Sequence, residues 1–440
     1  MRRRALLVTL VVLVALGGGV AWYLGPIAPV ATGYAAKTLC SGHFVSGRPV
    51  AEVQGDLPDN PLVPFLRTST DEDAGTVTTT LLGLWGSTGW HTPGYGCTLA
   101  EDAPDLAPVT GAPAADDTTE LPPASDGVAA ALDAAFAEDL GGDAVKGTRA
   151  VVVLKDGQVV AERYADGFDA DTPLLGWSMT KSVANAIVGR LVHQGALSVE
   201  DDRLLAEWDG DERAEITLAD LLHMSSGLAF EEVYDPGTDA TTMLFTPRDT
   251  GAYAASQPLV ADPGTTWSYS SGTTNIICDV AAAATDVPAH DLGRELVFEP
   301  LGMDSAVLEP DAAGDPVCSS FMYATARDWA TFGQWFLQGG EWDGEQLLPA
   351  DWVEWSTTPV ELEAENPYGA QWWLNAGPDD DLRMPEAPAD AFWASGNEGQ
   401  QVVVLPSQDM VVVRLGLTTG VGGVDWGLER LLADLVDELG

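Results

Sequence analysis

Ser178 and Lys181, in the stretch GWSMTKSV, are a serine and a lysine three residues apart where a helix begins. Positions i and i+3 share a helix face, so the amine can lie beside the hydroxyl with no distant residue recruited. A lysine partly buried there loses solvation of its charged form, which lowers its pKa and lets it take a proton from the serine. The helix start adds free backbone N–H groups and a positive dipole end, both favourable to a developing negative charge. On an exposed helix the same pair would be two solvated side chains. Val183, Ile187, Leu191 and Val192, however, follow at helical spacing and mark a core-facing helix. Ser178 is therefore the candidate nucleophile and Lys181 its base.

Such a nucleophile needs a second group that handles protons. Tyr269, in PGTTWSYSSGTTNII, follows a Pro-Gly turn and precedes a helix-like run, so its hydroxyl is set to project from a loop into a cleft. A lysine cation nearby is expected to lower its pKa from about 10. His223, at a helix end, reads as a capping or packed residue, and Ser225-Ser226-Gly227 as a turn; the GxSxG elbow is absent. Trp177, Trp372, Trp373 and Trp393 are core aromatics or walls of an acyl pocket. With no CxxC or HExxH pattern and the five histidines scattered, no metal and no cofactor is expected.

The elements that must hold these residues can be placed along the 440 residues. Residues 1–4 (Met1-Arg2-Arg3-Arg4) precede an apolar run over 5–24 of the length that a helix needs to cross a bilayer. The flanking arginines on one side and Trp22 and Tyr23 on the other orient the rest of the chain outside the membrane. A signal peptide cleaved near Gly19-Val20-Ala21 is the alternative; either exports the catalytic part. Residues 25–100 read as a small module with strand-like runs such as GTVTTTLLGLWG, and 101–125, rich in Ala, Pro, Asp and Thr, as a linker.

From 126 to 440 a helix leads into RAVVVLKDGQVVAERY, where Asp156-Gly157 signals a hairpin, and then into the Ser178 helix. Further strands in FWASGNEGQQVVVLPSQDMVVVRLGL turn near Pro406–Asp409, and an amphipathic helix closes the chain. Strands at both ends with helices between them imply an α+β fold, an antiparallel β-sheet flanked by helices.

The formal net charge of −47 repels nucleic acid and anionic lipid, and its size suggests a host environment where salt screens self-repulsion. Cys40 and Cys97 are expected to pair within the small module, a closure contributing about 4 kcal/mol in the chain-entropy model. Cys278 and Cys318 are either buried thiols or a second bridge.

Over roughly 125–440 the chain resembles the serine hydrolases related to class C β-lactamases and penicillin-binding proteins, a family that includes esterases and 6-aminohexanoate-dimer hydrolases. The resemblance is carried by SMTK at Ser178–Lys181, YSS at Tyr269–Ser271 and GNEGQ at Gly396–Gln400, in the family's order, with ITLADLLHMSSGL and FMYATARDWATFGQWFLQGGEWDGEQLLP between them. It implies a transpeptidase-like fold with a mostly helical subdomain, and an acyl-enzyme on Ser178 with proton traffic shared by Lys181 and Tyr269. It also implies an oxyanion hole from the backbone N–H groups of Ser178 and Gln400, with substrate contacts from Ser271, Asn397 and Gly399. Ser271 stands where β-lactamases commonly carry asparagine, and Asn397 where they commonly carry lysine or histidine. The missing cation argues against a β-lactam carboxylate, and favours esters or linear amides in a small-molecule or short-peptide substrate.

Overall fold

The structure is a computed structural model that describes residues 24–109, 124–362, 367–376, 382–421 and 425–440. The expected membrane segment lies outside the described residues but for Leu24, as does most of the expected linker. Among the described residues no helix is long and apolar enough to cross a membrane.

The small module is a helix laid across a sheet. Helix α1 (Ile27–Phe44) packs on the antiparallel strands β1 (Leu66–Asp71), β2 (Thr76–Leu81), β3 (Trp85–Thr92) and β4 (Gly96–Leu99). Cys40 of α1 is bonded to Cys97 of β4, the expected pairing. Gly89 lets the helix settle closely, since a Cβ there would lie 2.8 Å from that of Cys40.

In the larger domain Ser125 caps helix α2 (Asp126–Phe136) by accepting from the Val128 N–H. Strands β5 (Thr148–Lys155) and β6 (Gln158–Tyr164) then form the expected hairpin, with Asp156 and Gly157 at φ of 52° and 72°. Helices α3 (Thr180–His193), α4 (Asp239–Phe245), α5 (Ser271–Ala283) and α6 (Ala326–Leu337) make the helical part. The chain returns through β7 (Trp373–Leu374), β8 (Phe392–Gly396), β9 (Gln400–Leu405) and β10 (Met410–Gly416), and ends in α7 (Leu428–Leu439). These strands join β5 and β6 in one antiparallel sheet ordered β7-β8-β9-β10-β5-β6, so the expected α+β architecture is present.

The runs QQVVVL and MVVVRLG are apolar at consecutive positions because both faces of the sheet are covered. Val402, Val404, Val411 and Val413 enter the core beneath α3 and α6. Val403, Leu405, Met410 and Val412 enter a second core beneath α2 and α7. An antiparallel sheet with one wet face would alternate instead. The Cys278 and Cys318 alternative resolves as a second bridge, tying α5 to the segment before Phe321.

The module is seated on this domain through buried polar contacts. Lys37 of α1 and Glu309 form an ion pair of 2.7 Å with both side chains buried. The same carboxylate accepts from Ser41 Oγ at 2.7 Å and the Cys97 N–H at 2.6 Å. A carboxylate so supplied with donors offsets much of its desolvation. Arg149 reaches Asp56 at 2.5 Å, and a Cβ on Gly33 of α1 would lie 1.8 Å from the Phe245 carbonyl oxygen of α4.

Candidate active site

Ser178 lies on a short 3-10 turn, Trp177–Met179, that runs directly into α3. Trp177 sits at φ 48°, unusual for so bulky a residue, and its indole N–H is held by Glu398 Oε2 at 3.1 Å. Local strain of this kind persists only where its surroundings enforce it.

Lys181, on the first turn of α3, is buried and makes three contacts: Ser178 Oγ at 3.1 Å, Ser271 Oγ at 3.0 Å and the Ser319 carbonyl at 3.0 Å. Burial lowers its pKa to about 8 against the opposing charge of Glu232. The pattern fixes what the neutral amine can do. The Ser319 carbonyl only accepts, and Ser271 spends its proton on Glu232 Oε1 at 2.6 Å, so both need a Lys181 hydrogen. The two hydrogens of a neutral amine go there. Its lone pair is left for Ser178, whose hydroxyl alone among the three has a proton to give.

Tyr269 completes the trio. Its hydroxyl is hydrogen-bonded to Ser178, the Lys181 ammonium lies 4.9 Å from its ring centroid, and its ring stacks on Trp373 at 5.4 Å. The expected lowering of its pKa is corrected here. Burial and the charge of Glu232 push the phenol above its ordinary range, against the Ser178 hydrogen bond, so at neutral pH it is a proton carrier and not a phenolate.

Ser271 is close by, yet fully buried, with its hydroxyl engaged by both Lys181 and Glu232 and its N–H donated to Glu232 Oε2 at 2.7 Å. It faces the base, not a substrate, which corrects the substrate-binding expectation. Glu232 and Tyr234 were missed: they stand in FEEVYDPGTD, a stretch that carries no motif, and only the fold brings that loop over the nucleophile. A cavity of about 240 Å³ is lined by Ser178, Glu232, Tyr234, Tyr269, Trp373 and the strand end at Ser395–Asn397.

The third motif needs a larger correction. Gln400 does not line this cavity; its side chain crosses to Gly416, donating to that carbonyl at 2.6 Å and accepting its N–H at 2.9 Å. Gly399, at φ 80°, packs on Arg414 and Thr418, also away from Ser178. The backbone beside the nucleophile is that of Gly396 and Asn397, and a Cβ on Gly396 would lie 2.1 Å from the Gly176 carbonyl. Glu398 at φ 59° makes the loop tight, which moves the cavity-facing backbone upstream of Gln400. Buried Arg414 fastens the loop from below, donating to the Gly399 carbonyl at 2.9 Å, to that of Glu398 at 3.3 Å and to Thr148 Oγ1 at 2.9 Å.

His223 packs against Trp355 at 4.8 Å, as expected of a structural histidine. Trp372 and Trp393 are core residues, whereas Trp373 walls the site. Among the described residues no group of three or more His, Cys, Asp or Glu is placed to hold a metal ion.

The beta-lactamase family model matches residues 132–436. A 6-aminohexanoate-dimer hydrolase of Paenarthrobacter ureafaciens is 25% identical over 292 residues, spanning 61% of this chain and 72% of that protein. Among solved structures, one assigned as a 6-aminohexanoate-dimer hydrolase from Bacillus anthracis superposes with a TM-score of 0.58 at 24% identity, covering 67% of this chain and 80% of the other. A family VIII carboxylesterase gives 0.54 at 18% identity, over 71% and 97%. At such identities the two structures speak for the fold alone.

Proposed function

Because the chain belongs to the beta-lactamase family, we propose that this serine hydrolase opens esters or linear amides through an acyl-enzyme on Ser178. The carrying observation is the set of partners around Lys181, which leaves its lone pair to Ser178 alone. Neutral Lys181 takes the Ser178 proton as Oγ attacks the carbonyl carbon. The oxygen that gains charge is received by the backbone N–H groups of Ser178 and Asn397, the latter in place of Gln400. Tyr269 passes a proton to the leaving alcohol or amine, and water then releases the acyl group by the same steps in reverse. Ser271 and Glu232 hold Lys181 in register.

Among the described residues the Ser178 cavity is lined by one acidic side chain, Glu232, and by no cationic one, which supports uncharged substrates over β-lactam carboxylates. The two disulfides support an exported protein, and an N-terminal membrane anchor or signal remains our reading of residues 5–24. A fluorophosphonate probe should label the wild type and not Ser178→Ala; labelling of that variant at the wild-type rate would remove Ser178 from the mechanism.

A further inference from the structure

A second cavity, of about 330 Å³, lies between the N-terminal module and the catalytic domain. Tyr234 and Asn397 line both it and the Ser178 cavity, so the two adjoin at these residues. On the module side its wall is Ile27, Val30 and Ala31 of α1 with Leu57, Leu62 and Val63 of the segment before β1. On the catalytic side it is Trp177, Phe245 and the Tyr234–Pro236 turn. Its size falls in the range of small-molecule sites, about 300–1,000 Å³. Its charged lining groups, Asp235 and Glu398, are both acidic.

We propose that this chamber receives an uncharged aliphatic chain on one side of the scissile carbonyl, and that the N-terminal module thereby selects the substrate. The proposal rests on the acyl-enzyme reading above. Among the described lining residues there is no Lys, Arg or His, so a carboxylate or phosphate arm finds no cationic partner and meets two acidic neighbours. An apolar chain gains up to about fourfold in binding for each methylene buried there. The wall is fixed in place. Lys37 and Ser41 of α1 both hold Glu309, and α1 touches the Phe245 carbonyl where Gly33 removes the side chain that would block it.

The test is a series of p-nitrophenyl esters from acetate to decanoate, run on the full exported chain, on Ala31→Trp and on Leu62→Trp. Fluorophosphonate labelling of each protein reports that Ser178 is intact. Wild-type kcat/KM should climb several-fold per two carbons. Each tryptophan should cut the octanoate-to-acetate ratio by about tenfold or more, as a filled pocket would. The ratio is read within one protein, so partial misfolding cannot mimic the result. A flat chain-length profile in the wild type, or an unchanged ratio in both variants, with labelling intact, would overturn this proposal alone. Failure of the wild type to label would overturn the acyl-enzyme reading and this one together.

Discussion

Lys181 sets the pH dependence of the chemistry. Its amine must be neutral to accept the Ser178 proton, and burial brings its pKa to about 8, so kcat/KM should rise with pH and level off above about 8. Lys181→Met should lose about 10²–10⁴-fold in kcat/KM, measured on a short ester at the plateau. Glu232 raises the Lys181 pKa, so Glu232→Gln should move the limb of the pH profile to lower pH as well as slowing the reaction. A limb that stays in place would leave Glu232 with a packing role only. Away from the site, Asp279 has its carboxyl pushed up to about 8, first by burial and then by Asp315, Asp249 and Asp311. The sign follows from its ordinary value of 3.8. Below that pH the group is neutral folded or unfolded, and as pH climbs towards 8 the folded state increasingly suffers from an acid the unfolded chain ionises freely. Asp279→Asn should therefore raise the Tm at pH 8, with the gain vanishing near pH 4 in a thermal-melt series.

At the level of elements, the loop joining β8 to β9 is fastened from below by the buried Arg414 guanidinium together with the Gln400 amide. Arg414→Met takes from the Gly399 carbonyl its side-chain donor, while the Glu398 carbonyl keeps the Thr418 N–H and Gln400 Nε2, and should lower stability by about 1–3 kcal/mol in urea unfolding while slowing the acylation of Ser178. The loop also marks where sequence stops being informative. The hairpin at Asp156-Gly157, the doubly buried strands around Val403 and Val412, and the α3 stripe were legible because each is a local pattern with one physical solution. Ser178, Lys181 and Tyr269 were legible through motifs whose order carried the resemblance. Asn397, expected to contact substrate, does line the cavity, whereas Gln400, expected as the backbone donor, does not, since spacing alone does not reveal that Glu398 turns through positive φ. Glu232 and Tyr234 left no local signal, because an acidic loop becomes part of a site only by tertiary placement.

For the molecule as a whole, a net charge of −47 means long-range repulsion that added ions should relieve. The Tm should rise as salt increases from low to molar, followed by circular dichroism; a steady fall would mean the acidic surface is no adaptation to salt. The bridge between Cys278 and Cys318 acts over a shorter range. It fastens to α5 the residue immediately before Ser319, and the Ser319 carbonyl is one of the acceptors that orient the Lys181 amine. With the bridge reduced, that carbonyl would lose one of the links that fix it beside the Lys181 amine. Reduction of this bridge with dithiothreitol should therefore slow fluorophosphonate labelling of Ser178, whereas an unchanged rate would show that the carbonyl stays in place without it.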